Sequence, residues 1–161
     1  MNAAFVHLAV NHVPLVALII AGALLIAALL RRSASLLGAA IWITIAAGVV
    51  AIVALQSGEA AEHLLEHVPG INTAAIEQHE EQGKLAAFAA IFCAGIGIGI
   101  LLGTRWWGSR FQRSASVVLL LALIGATILI ASAAHAGGYI RHADELENRL
   151  PPPALPPSSD E

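Results

Sequence analysis

The side chains best able to do chemistry in this 161-residue chain are its seven histidines, His7, His12, His63, His67, His79, His135 and His142. Neutral imidazole ligates zinc, copper and iron, haem iron included. Three carboxylates in the same segments, Glu59, Glu62 and Glu80, can ligate hard ions or orient an imidazole through its second nitrogen. Glu59, His63 and His67 recur every four residues, which puts them on one face of a helix. His63 and His67, at i and i+4, form a chelating pair. The spacing narrows the chemistry. His79-Glu80 is followed by Glu81-Gln82-Gly83, so the HExxH of a zinc peptidase is absent. Copper(I) handling recruits sulfur, and this chain has one Met and one Cys. That weighs against a copper chaperone.

A b-type haem asks for two axial imidazoles from different segments and an apolar slot between helices. Candidate cofactor ligands are His12, His67, His79 and His142; a wider metal set adds Glu59, Glu62, His63 and Glu80. The occupant would be haem b or a transition metal ion, Fe, Cu or Zn. No CxxCH is present for covalent haem attachment.

Such residues need a scaffold, and composition supplies it. The chain is 58% hydrophobic and 12% charged. Apolar runs cover residues 14–30, 36–55, 85–103 and 117–134, each near the roughly 20 residues that cross a hydrocarbon core. Thr44, Thr127, Ser132 and Gln56 interrupt them too rarely to make the polar face of a soluble helix. The expected fold is an all-α integral membrane four-helix bundle, antiparallel up-down, with a helical extracytoplasmic cap between the second and third helices. Residues 1–150 form one transmembrane domain, with spans at about 13–30, 36–56, 84–104 and 115–136. The proline-rich tail, 151–161, reads as extended and disordered.

Orientation follows from charge, because short loops rich in Arg stay in the cytoplasm. Arg31 and Arg32 follow the first run; Arg105, Arg110 and Arg113 follow the third, beside Trp106 and Trp107, with Trp42 near the same face. Both termini, nearly all the acids and every histidine then lie on the extracytoplasmic side of a bacterial inner membrane. At about 1.5 Å of rise per residue, His12 and His135 stand near the boundary, and His7, His63, His79 and His142 one to two turns above it. A shared site is geometrically open to them.

Local signals refine this frame. Pro14 suits the first turn of a helix, where its missing N–H is harmless, and so fixes His12 at a helix start. The segment from Gly58 opens helical, breaks at Val68-Pro69-Gly70, and resumes near Asn72 or Thr73 in a helix that carries Glu77, His79, Glu80 and Glu81 into the third span. Glu80 and Lys84 form an i,i+4 pair. Gly83 lowers bulk at a helix contact, and Gly95, Gly99 and Gly103, at spacing four, predict close packing of two membrane helices. Cys93 reads as a small buried apolar residue. Gly137-Gly138 permits a tight exit or the close approach of another segment.

In combination, Asn11-His12-Val13-Pro14, Gly58-Glu59 through Glu62, Glu66-His67-Val68-Pro69-Gly70, Ile76 with His79-Glu80, and Gly137-Gly138-Tyr139-Ile140-Arg141-His142 resemble a family of small four-helix bacterial membrane proteins. Its members read NHLP, TGEPAEE, EHLPG, IEAHE and GGxIRHPE at these places, over nearly the whole chain. More distantly, the chain is similar to predicted membrane proteins with a HPxxVHFP start, some suspected of cytochrome-like or metal-linked roles. The resemblance implies that His12, Glu59, Glu62, His67, His79, Glu80, Arg141 and His142 are the polar motif residues. Ala143-Asp144 departs from the family's proline-acid pair. Arg141 is suited to a forked ion pair with Glu59, Glu62 or Glu80.

Two functions fit. One is a redox or electron-transfer protein with a His/Glu metal or haem site, exchanging electrons with a periplasmic carrier or a respiratory complex. The other is a non-catalytic accessory or assembly subunit whose polar cap is structural. The lipid bilayer is the expected surrounding, a homo-oligomer is compatible with it, and nucleic acid is not a partner, since membrane orientation accounts for most of the few basic residues. A pump is disfavoured because no span carries a central ionisable side chain.

Overall fold

A computed structural model of the chain describes residues 3–65 and 73–147; side-chain statements leave out residues 62–65, 73, 75, 109 and 139–147. The described residues form four helices, α1 (Ala3–Val10), α2 (Val13–Arg31), α3 (Ala34–Leu65) and α4 (Thr73–Glu147), with no strand among them. Stretches long and apolar enough to cross a membrane are Ala3–Arg31, Ala34–Ala61, Ile76–Gly108 and Arg110–Gly138. This is an all-α bundle built as a multi-pass membrane protein.

α1 and α2 are almost one helix. Asn11 N–H donates to His7 O at 2.9 Å and Val16 N–H to His12 O at 3.3 Å, which carries hydrogen bonding across the join. Pro14 stands in the first turn of α2 with His12 as its N-cap, as its missing N–H dictates. The turn into α3 is made by Arg32 in the left-handed region (φ 52°) and by Ser33, whose Oγ accepts from Leu36 N–H at 3.4 Å.

α4 begins at Thr73, where the sequence predicts a start, and runs without interruption through the third span. Its break is Gly108, at φ 71°, ψ −167°, a conformation essentially confined to glycine. Hydropathy leaves an apparent connection from 105 to 114, but the helix propagates through most of it and reverses around this single residue. An apolar run ends where lipid ends, and a helix need not.

Glycine contacts give the packing direction. Gly48 lies against Ala90 and Ala94, while Gly97 lies against Ile41 and Ile45, so α3 and the first arm of α4 run in opposite senses. The expectation for the glycine stripe is corrected here. Of the stripe, Gly103 alone meets a neighbour, with Phe111 against it; Gly95 and Gly99 face open space, as does Gly83, and the close approaches between α3 and the first arm of α4 fall at Gly48 and Gly97. Without a hydrophobic drive between helices in lipid, association rests on close van der Waals contact between small residues. The core accordingly mixes Ala21, Ala40, Ala47, Ala51 and Ala90 with Leu18, Leu25, Ile41, Ile100, Leu119 and Leu123. Cys93 is buried among them. Val16, Ile19, Phe88, Phe92, Leu121 and Ile128 point outward, where acyl chains would cover them.

Candidate functional site

Two histidines meet at one end of the bundle. His7, on α1, donates its Nδ1–H to the carbonyl oxygen of Ala54 on α3 at 3.0 Å. His79, near the start of α4, donates its Nδ1–H to the carbonyl of Ala133 on the second arm, also at 3.0 Å. Both rings are half-buried, with centroids 6.4 Å apart and planes inclined at 78°.

The two attachments share one design. A helical carbonyl already accepts from the N–H four residues on, but its second lone pair remains available if the side chains over it are small. Four residues beyond Ala54 stands Gly58, and four beyond Ala133 stands Gly137. A Cβ built on Gly58 would sit 3.1 Å from His7 Cε1, and one on Gly137 only 2.8 Å from His79 Cε1. Each imidazole therefore lies in the notch its glycine leaves. Ser57 Oγ–H also donates to Ala54 O, at 3.1 Å.

The chemistry follows from the proton. With Nδ1–H committed to a backbone carbonyl, the neutral ring carries its lone pair on Nε2, the usual second-sphere device that fixes tautomer and ring orientation in histidine ligands. Two oriented imidazoles from separate segments result. Among the described residues, no group of three or more His, Cys, Asp or Glu is assembled to hold a metal ion.

The other candidates divide clearly. His12 is exposed and hydrogen-bonds the neighbouring Asn11 side chain through Nδ1. His135 and Glu59 are exposed, and Glu80 is paired with Lys84, as their spacing predicts. Ser132 Oγ–H reaches Gln82 Oε1 at 3.5 Å, linking the arms of α4 close to His79. His67 lies outside the described residues, and the side chains of Glu62, His63, Arg141 and His142 lie outside the described part of their helices. His79 is thus joined by His7, which the candidate ligand set omits. The legible signal is the paired Ala-x3-Gly spacing at 54–58 and 133–137, each near the histidine end of a span.

The expected approach at Gly137 is present, though as a berth for His79 within a continuing helix and not as a helix exit. No family model matches the chain, and no curated protein or solved structure does either.

Proposed function

We propose that the chain is a redox protein of the bacterial inner membrane, carrying a bis-imidazole centre, with haem b the favoured occupant, on its extracytoplasmic face. The observation that carries this reading is the His7–His79 pair, with both Nδ1 atoms engaged on backbone carbonyls and ring centroids 6.4 Å apart. A bare zinc ion needs three or four protein donors, whereas haem iron needs two because the porphyrin supplies the rest. Haem b would contribute a one-electron couple. His7 and His79 would hold the iron, Ala54 and Ala133 would fix their tautomers, and Gly58 and Gly137 would set their depth. His67 and His142 are the further candidate ligands by sequence. Termini outside and arginines inside follow from loop charge, and a periplasmic electron carrier or respiratory complex is the proposed partner.

Purified full-length protein titrated with haem b should develop a sharp Soret band at one equivalent, which His7→Ala and His79→Ala should each abolish. Elemental analysis of the same protein for Fe, Cu and Zn checks the alternative occupants. A second reading rests on the same hydrogen bonds: each imidazole ties two helical segments together without any ligand, as a clasp in an accessory subunit would. Under it, the wild type gains no chromophore or stoichiometric metal, and both alanine variants lower thermal stability.

A further inference from the structure

The opposite end of the bundle holds a second concentration of charge that the histidine pair does not use. Arg31, Arg32, Arg105, Arg110 and Arg113 are all exposed there. Their heights agree. Gly97 packs on Ile41, so seven residues in opposite directions, roughly 10 Å, bring Thr104 level with Ala34. Arg31 and Arg32 lie just beyond Ala34, Arg105 next to Thr104, and Phe111 covers Gly103 from the second arm, which sets Arg110 and Arg113 about that level. Five guanidinium groups thus share a layer about two helical turns deep. Trp106 and Trp107 stand in it, 78% and 68% exposed. The sequence has no Asp or Glu in residues 1–58 or 82–143, and the described carboxylates Glu59, Glu77, Glu80 and Glu81 lie toward the histidine end. Among the described residues, no carboxylate stands in this layer.

We infer that the arginine layer binds the phosphate groups of anionic phospholipids. Guanidinium forks match phosphate oxygens in paired hydrogen bonds, and exposed tryptophans mark the headgroup depth of a bilayer. An acidic protein segment would satisfy the charge but would leave the two indoles unexplained. Each juxtamembrane arginine is drawn to an anionic lipid surface, and five in one layer convert that attraction into selection of lipid neighbours. This inference is independent of the histidine pair.

Tryptophan quenching reads it directly. Full-length protein carrying Trp42→Phe, which leaves Trp106 and Trp107 as reporters, is placed in phosphatidylcholine vesicles containing a small fixed fraction of brominated phosphatidylglycerol or brominated phosphatidylcholine. Quenching by the anionic lipid should be several-fold stronger, should shrink as salt rises, and should fall to the zwitterionic level in the triple variant Arg105→Gln, Arg110→Gln, Arg113→Gln. The salt titration needs no arginine variant, so poor folding of the triple variant leaves the test standing. Equal quenching by the two lipids overturns the inference and leaves the layer to an acidic protein. Loss of the preference on adding inorganic phosphate, at ionic strength matched with chloride, also overturns it, in favour of a soluble-anion site.

Discussion

The two ends of this bundle handle polar side chains in opposite ways. At the histidine end, His7 and His79 turn inward and give their Nδ1–H groups to main-chain carbonyls, half-buried between helices. At the arginine end, Arg31, Arg32, Arg105, Arg110 and Arg113 all turn outward, and the polar groups that stay inside satisfy themselves locally: Ser116 Oγ–H donates to Gln112 O at 2.7 Å and Thr104 Oγ1–H to Ile100 O at 2.6 Å. The difference teaches where specificity can reside. An inward imidazole with one nitrogen fixed is aimed; an outward guanidinium on a flexible stem is a charge at a depth. The first favours a ligand of defined geometry, the second a ligand that only needs to be anionic and near.

The sharpest break of this contrast is loss of either imidazole. His7→Ala or His79→Ala should eliminate the Soret band of haem-loaded protein, while the triple arginine variant should leave it unchanged. Next in size come the notches. Gly137→Val should weaken haem binding and lower stability by about 1–3 kcal/mol through overpacking against His79, with Gly58→Val milder because its Cβ meets His7 at 3.1 Å instead of 2.8 Å. Haem titration together with thermal unfolding in detergent measures both, and the reverse order would show that the Cβ-to-ring distance does not set the cost. Gly108→Ala tests the turn itself. Its φ of 71° with ψ of −167° should cost about 1–3 kcal/mol in the same unfolding assay without touching either end's chemistry. The smallest effect is expected for Lys84→Gln, a few tenths of a kcal/mol at most, because the Glu80–Lys84 pair is a partly exposed i,i+4 contact.

Much of this architecture is legible in one sequence because lipid imposes length and hydropathy on every span. Four apolar runs gave four stretches able to cross a membrane, Pro14 marked the start of α2, and α4 starts at Thr73 as predicted, while the break predicted at 68–70 lies outside the described residues. Contacts between helices were not legible in the same way. The stripe Gly95, Gly99, Gly103 has the right spacing for helix pairing, yet spacing places residues on a face without saying what lies opposite. Gly95 and Gly99 face open space and only Gly103 meets a neighbour, Phe111, while the close approaches between α3 and α4 fall at Gly48 and Gly97. The histidines illustrate the same limit. Their common side could be read from topology, but the choice of His7 as the neighbour of His79 depends on which carbonyls α3 and the second arm of α4 leave uncovered.

That each imidazole hangs from a main-chain oxygen has a consequence for how the chain tolerates mutation. A backbone acceptor cannot be deleted by exchanging a side chain, so positions 54 and 133 are free to drift among small residues while the grip persists. The burden shifts four places along, to 58 and 137, where even one added methyl group crowds the ring, more tightly at 137 than at 58.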